Sequence, residues 1–417
     1  MEIKREKYLV DLKIRMHNGM IKVITGIRRC GKSYLIFHLF KNYLKEKSVP
    51  DDHIIEIALD ERKNRDYRNP DVILSYIETQ IKDNKTYYLL LDEVQLLNEF
   101  EEVLNSLLHI PNLDVYVTGS NSRFLSKDII TEFRGRGDEV HMFPLTFKEY
   151  MQGYDGDEYH GFADYIMYGG LPLILSMKTE EQKVKYLTTL FEETYIKDIR
   201  ERNRIDKVQE LNDLINVLAS AVGSLTNPSK IEATFKSKLR SDISINTIRQ
   251  YIEFLEDAFM IHAAHRFDVK GRKYIGTPLK YYFEDVGLRN ARIGFRQSEE
   301  THLMENIIYN ELRARGFHVD VGVVPIRKTG DIGKRERVQL EIDFIAVLGS
   351  RKYYIQSAFS LPDEAKIKQE KAALLNVHDS FKKIVIVHDM MNIRRDNDGI
   401  TTMNIYEFLL KENSLEL

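Results

Sequence analysis

Cysteine occurs once in the 417 residues, as Cys30. One thiol excludes an intrachain disulfide and a cysteine-built zinc site, and it points to a reducing compartment. Long apolar runs are also missing. The longest are strand-sized, too short for a transmembrane helix. The segment Met1-Glu2-Ile3-Lys4-Arg5-Glu6-Lys7 is charged and lacks the apolar stretch of a secretory signal. A cytoplasmic location with no membrane partner is therefore expected. Nor is there an excess of positive charge. The net charge is −3, so any nucleic-acid-binding surface must be local. Hydrophobic residues make up 43% and charged residues 30%, which suits a well-cored chain. At ~150 residues per domain, the length implies two or three domains.

What is present begins with Gly26-Ile27-Arg28-Arg29-Cys30-Gly31-Lys32-Ser33, which fits G-x-x-x-x-G-K-[ST]. An apolar strand, Ile21 to Thr25, precedes it, and a helix-like run, Tyr34 to Phe40, follows. Glycines let the backbone wrap a phosphate without a Cβ in the way. N–H groups at the helix start then face the anion, aided by the helix dipole. Gly26, Ile27, Arg28, Arg29, Cys30, Gly31, Lys32, Ser33 and Tyr34 are the expected nucleotide-contacting stretch. Lys32 is expected to reach the β- and γ-phosphates of ATP, and the Ser33 hydroxyl to ligate Mg²⁺. Cys30 reads as a small residue at a variable position. The alternative is a thiolate favoured by Arg29 and Lys32.

Thr86 to Glu93 is an apolar run ending in two acids, as a buried parallel strand would. Acids there emerge at the ligand edge of a doubly wound sheet. Asp92 is expected to hold Mg²⁺ and Glu93 to polarise the attacking water. A further strand, Leu113 to Thr118, leads into Gly119-Ser120-Asn121, where Asn121, with Ser120 as alternative, would sense the γ-phosphate. Arg136, with Arg134 second, would stabilise phosphoryl-transfer charge in a neighbouring subunit, or else simply lies on a surface turn. Strands alternating with helices, including Ile54 to Leu59, imply an α/β fold with a parallel sheet.

Ile24 to Ser33, Leu91-Asp92-Glu93-Val94-Gln95 and Phe143 to Tyr150 together resemble a prokaryotic AAA-type P-loop ATPase family. Its members carry a characteristic C-terminal domain of unknown function. The resemblance implies Walker A roles for Gly31, Lys32 and Ser33, and Walker B roles for Asp92 and Glu93. It puts Ser120 and Asn121 at sensor 1 and Gly135-Arg136 at the arginine finger.

Residues 1–155 are expected to form the ATPase domain and 156–205 a helical lid or linker, interrupted at Gly169-Gly170-Leu171-Pro172. Helices over Lys207–Val222, Pro228–Leu239 and Ile245–Met260, capped by Asn227 and Ser244, precede strands Ile261–Phe267 and Lys273–Phe283. That is the plan of a winged helix over 206–290. Its third helix exposes Arg249 but also Glu253, Glu256 and Asp257, so the hairpin cations Arg266, Lys270, Arg272 and Lys273 are better placed to meet DNA phosphates, the alternative being a purely structural winged helix.

Residues 291–417 carry a helix with Glu305, strands with Asp343 and Gln356, then a helix and a strand. This layout resembles the PD-(D/E)XK, restriction-endonuclease-like nucleases. There the acids bind Mg²⁺ and a lysine steadies the transition state. Here Gln356 replaces an acid and Ala358 stands where the lysine belongs. Degeneration to a docking or nucleic-acid-binding platform is expected, with Lys352, Lys366 and Lys368 as candidates for a relocated lysine. The basic loop from Arg327 to Arg337 is either a phosphate clamp or a solvated hairpin tip.

The leading expectation is a Mg²⁺-dependent ATPase, a homo-oligomer, coupled to a C-terminal module that faces nucleic acid or a partner. The alternatives are an ATP-dependent switch with little turnover and an ATP-regulated nuclease.

Overall fold

The computed structural model describes residues 2–120, 135–241, 243–296, 299–329 and 335–417. The chain divides into two compact units. One comprises Met1–Pro144 with Asp257–Phe259, the other Leu145–Glu256 with Met260–Leu417. Among the described residues no helix is long and apolar enough to cross a membrane.

The first unit is built on strands β1 (Ile21–Thr25), β2 (Ile54–Ala58), β3 (Tyr87–Asp92), β4 (Leu113–Thr118) and β5 (Gly137–His141). They form a five-stranded parallel sheet in the order β2-β3-β4-β1-β5. β1 and β3 are buried at every position, as strands covered on both faces must be. Each fully buried Leu or Ile contributes roughly 1.5–3 kcal/mol to that core. β4 lies between β1 and β3, so the C-terminal ends of those two strands flank Thr118.

One position in β1 breaks the apolar pattern. Lys22 is fully buried, and its ammonium pairs with the carboxylate of Asp114 on the neighbouring β4. Tyr116 also donates to Asp114, at 2.9 Å. Burial lowers the Lys22 pKa, and Asp114 works against that shift.

Residues 32–46 run as a helix whose middle, Leu35–Phe40, has a widened turn. Leu35, Ile36, Leu39 and Phe40 are buried on its inner face. A helix at Glu6–Ile14, outside the sequence expectation, precedes β1, and Arg5 anchors its start. The guanidinium donates to the carbonyls of Phe143 (2.6 Å) and Cys30 (3.2 Å).

The second unit starts with helices. Glu158–Tyr168 comes first, and Glu180–Leu190, Val208–Ser220, Pro228–Thr234 and Ile245–Asp257 lie close to their expected positions. Asn227 caps through the Lys230 amide at 2.7 Å and Ser244 through the Thr247 amide at 3.1 Å. The Gly169-Gly170 break is tied to Asp285, whose carboxylate accepts from the Gly170 amide at 2.7 Å. Gly169 has φ +74°, and a Cβ there would lie 2.2 Å from Asp285 Oδ1.

The sheet of this unit contains β6 (Ile261–Asp268), β7 (Lys273–Phe283), β8 (His318–Thr329), β9 (Arg335–Leu348), β10 (Arg351–Ala358), β11 (Lys382–Val387), β12 (Arg394–Arg395) and β13 (Ile400–Asn404). Its order is β12-β13-β11-β10-β9-β8-β6-β7. The helix Glu364–Leu375 packs Ala373 and Leu374 against Ile342, Tyr354, Ala358 and Val385.

Two expectations change here. The β6–β7 hairpin is not a free-standing wing, because β6 pairs in parallel with β8 at Arg266↔Val321 to Asp268↔Val323. A boundary at 290 therefore cuts through one continuous sheet. The lid at 156–205 is not a separate compact unit either, and the first unit ends at Pro144 rather than at 155. Strands β12 and β13 and the helix Ile405–Leu410 lie beyond the elements expected from sequence.

Candidate functional site

The phosphate loop joins β1 to the helix at Lys32. Gly26 has φ +137°, and a Cβ there would lie 2.1 Å from the Met142 carbonyl oxygen. Only glycine fits. Gly31 opens the helix in the left-handed region, with φ +108°. Ile27 and Cys30 are buried, Arg28 is half-buried, and Arg29 and Tyr34 are exposed. Burial of Cys30 turns its side chain away from solvent. Lys32 is buried, and its ammonium sits inside the loop, donating to the carbonyls of Gly26 (2.8 Å) and Ile27 (3.0 Å).

The sheet topology brings Ser33 and Asp92 together. Ser33 Oγ lies 3.0 Å and 2.8 Å from the two oxygens of Asp92. Thr118, at the end of the intervening β4, donates to Asp92 Oδ1 at 2.5 Å and accepts from the Glu93 amide at 3.0 Å. Thr118 is a residue the sequence reading missed. Its only signal was its place at the end of the strand that leads to Ser120. Burial pushes the Asp92 pKa up, the hydroxyls of Thr118 and Ser33 pull it down, and the charges of Glu93 and Asp60 add to the rise.

Glu93 has left-handed backbone, φ +54°, which turns the chain sharply out of β3. A non-glycine residue there costs on the order of 1–3 kcal/mol. Its carboxylate accepts from Ser120 Oγ at 3.0 and 3.3 Å and from the Gln95 amide. Gln95 had no expected role. Arg136 is exposed, and its carbonyl accepts from the Ile21 amide at 2.9 Å. Asn121 and Arg134 lie outside the described residues.

The set Ser33, Asp92 and Thr118 offers hard oxygen donors at the mouth of a glycine cradle. That chemistry fits Mg²⁺ beside a polyphosphate.

The second unit gathers Glu305, Glu341 and Asp343 around Lys280 of β7. The Lys280 ammonium lies 2.8 Å from Glu305, 2.8 Å from Glu341 and 3.6 Å from Asp343. Tyr282 donates to Glu305 at 2.5 Å, and the Ser357 amide to Asp343 at 2.8 Å. Burial works against the charge of Lys280, but the three acids raise its pKa. Burial and the charge of Glu305 hold Asp343 well above the usual carboxylate range.

The relocated lysine is thus none of those expected. Lys352 lies 3.8 Å from Asp379, Lys366 pairs with Glu370 at 2.5 Å, and Lys368 is exposed. Gln356 donates to Glu370 at 3.3 Å, and Ala358 is packed in the apolar core. The Lys280 ammonium takes the centre of these carboxylates, the position a divalent ion would need. Among the hairpin cations Arg266 is buried and donates to Gln339 at 3.2 Å, so it is not open to phosphate. Lys270, Arg272 and Lys273 are exposed.

Residues 18–151 match the model of a family described as an AAA domain, and residues 159–299 match a domain of unknown function (DUF8612). An uncharacterized protein of Haemophilus influenzae is 32% identical over 415 residues, covering 98% of this chain and 99% of that protein. The uncharacterized protein MJ1544 of Methanocaldococcus jannaschii is 27% identical over 378 residues, covering 87% of this chain and 80% of its own. Among solved structures, the Aeropyrum pernix ORC1 protein in complex with DNA aligns with 70% of this chain and 93% of its own. The identity is 12% and the TM-score 0.29, too loose a match to carry functional detail.

Proposed function

The chain belongs to one family with the Haemophilus influenzae protein and carries an AAA domain ahead of a domain of unknown function, and from that premise we propose that it binds ATP with Mg²⁺ and hydrolyses it. The observation that carries this reading is the approach of Ser33 to Asp92 beside the buried Lys32.

In the proposed reaction the loop amides and the Lys32 ammonium bind the β- and γ-phosphates. Ser33 and Asp92 would hold Mg²⁺, which supplies charge neutralisation at the phosphate oxygens when bound. Thr118 orients Asp92 by its hydrogen bond. Glu93 takes the proton of the attacking water, which displaces ADP from the γ-phosphorus. Asn121 would sense the γ-phosphate and Arg136 would act in a neighbouring subunit of a homo-oligomer. The helices and the continuous sheet of the second unit would relay nucleotide state to a partner or to DNA, with Lys270, Arg272 and Lys273 as the DNA-facing cations.

Phosphate release decides the matter. Glu93→Gln is expected to retain ATP binding and lose at least about 10²-fold in turnover. Lys32→Ala is expected to lose both. Equal, negligible release by parent and Glu93→Gln would sink the hydrolytic reading.

One observation favours a second reading, a switch with little turnover. Both Glu93 oxygens are engaged by Ser120 and Gln95, which restrains the general base. Gln95→Ala then raises turnover if the restraint holds.

A further inference from the structure

We propose that Lys280 is the built-in cation of the Glu305–Glu341–Asp343 cluster, taking the place of a divalent ion, so that the C-terminal sheet is complete without metal and performs no metal-assisted hydrolysis there.

The geometry starts from β7. Lys280 and Tyr282 are two residues apart on one strand and share a face. Both reach the same Glu305 oxygen, at 2.8 Å and 2.5 Å. An ammonium has three donors and no acceptor. Glu305 and Glu341 each lie within hydrogen-bond distance of it, and Asp343 stands 3.6 Å away. The Lys280 side chain is 5% exposed, so the charge is sealed inside the cluster.

One further oxygen is engaged by the backbone: Asp343 Oδ2 accepts the Ser357 amide, while His302 stands 3.8 Å from Glu305 Oε2. A metal at the centre needs these oxygens at about 2.0–2.1 Å for Mg²⁺, so it would have to displace the ammonium that stands there. The position where a lysine was expected offers none, since Ala358 is core, and Lys352 of the same strand is turned to Asp379. An ammonium of single charge neither lowers the pKa of a bound water nor polarises a phosphoryl oxygen as a divalent ion does.

The test uses the full-length protein without nucleotide and Mn²⁺ as the probe. Thermal unfolding is followed for the parent, Lys280→Met, the double variant Lys280→Met/Glu305→Gln, and Asp343→Asn. The parent and Asp343→Asn are expected to respond equally to millimolar Mn²⁺, since any response comes from elsewhere. Lys280→Met is expected to melt about 6–12 °C lower, because buried carboxylates lose their cation. Mn²⁺ should recover part of that loss. The double variant should melt above the single one without metal. A Mn²⁺-induced rise in the parent that Asp343→Asn abolishes overturns the proposal. So does a Lys280→Met protein that melts with the parent. If Lys280→Met does not fold, the comparison of parent with Asp343→Asn still decides.

Discussion

The Ser33 hydroxyl lies within 3.0 Å of both carboxylate oxygens of Asp92, although Ser33 opens the helix that follows β1 and Asp92 ends β3, with β4 between the two strands. Both groups are hard oxygen donors, the kind Mg²⁺ takes. Ser33→Ala is expected to raise the Mg²⁺ concentration needed for half-maximal phosphate release by at least about 10-fold. A Mg²⁺ titration of the ATPase rate in parent and variant gives the ratio.

Thr118 links the two acids, donating to Asp92 and accepting from the Glu93 amide. Thr118→Val keeps the shape and removes both bonds. The expected loss is about 1–3 kcal/mol of stability, read by urea denaturation. A second readout is the pH–rate profile. The hydroxyl lowers the Asp92 pKa, so its removal raises it, and at subsaturating Mg²⁺ the acidic limb should move to higher pH, because a protonated Asp92 cannot hold the ion.

The buried Lys22–Asp114 pair supports the middle of the same sheet. Lys22→Met leaves a buried carboxylate without its cation and is expected to cost about 3–5 kcal/mol. Lys22→Met/Asp114→Asn should be the more stable of the two variants. Denaturant midpoints measured side by side test the order.

Asp285 predicts a pH dependence. Burial pushes its pKa from 3.8 up to about 6, against the pull of the Gly170, Leu288 and Gly287 amides, with the Glu284 charge adding to the rise. The folded chain therefore holds this proton more tightly than the unfolded chain. The associated stability is full below pH 3.8 and is lost as pH rises through about 6. The loss is on the order of 3 kcal/mol. Asp285→Asn carries no such proton, so the parent should lose stability relative to this variant between pH 4 and 7. Parallel slopes over that range would rule out the shift.

The legible parts of this molecule were those written in short stretches of sequence. Gly26 to Ser33 sits between a strand and a helix, β3 ends in Asp92, and the caps Asn227 and Ser244 precede their helices, all through contacts a few residues apart. What the sequence hid depends on pairing between distant strands. Lys22 lies in a run that reads as apolar, because its partner Asp114 becomes adjacent only when β4 enters beside β1. Lys280 reads as a hairpin residue until the sheet lays it against Glu305, Glu341 and Asp343. Arg266 reads as a surface cation for the same reason, and burial in the continuous sheet reverses that.

The parallel contact of β6 with β8 has a practical side. A fragment starting after residue 290 keeps β8 but loses β6 and β7, which leaves the β6-facing edge of β8 at Val321 to Val323 without its partner strand. Such an open edge recruits strands from other molecules. The C-terminal half should thus aggregate when expressed from that point and remain dispersed when the preceding hairpin is retained.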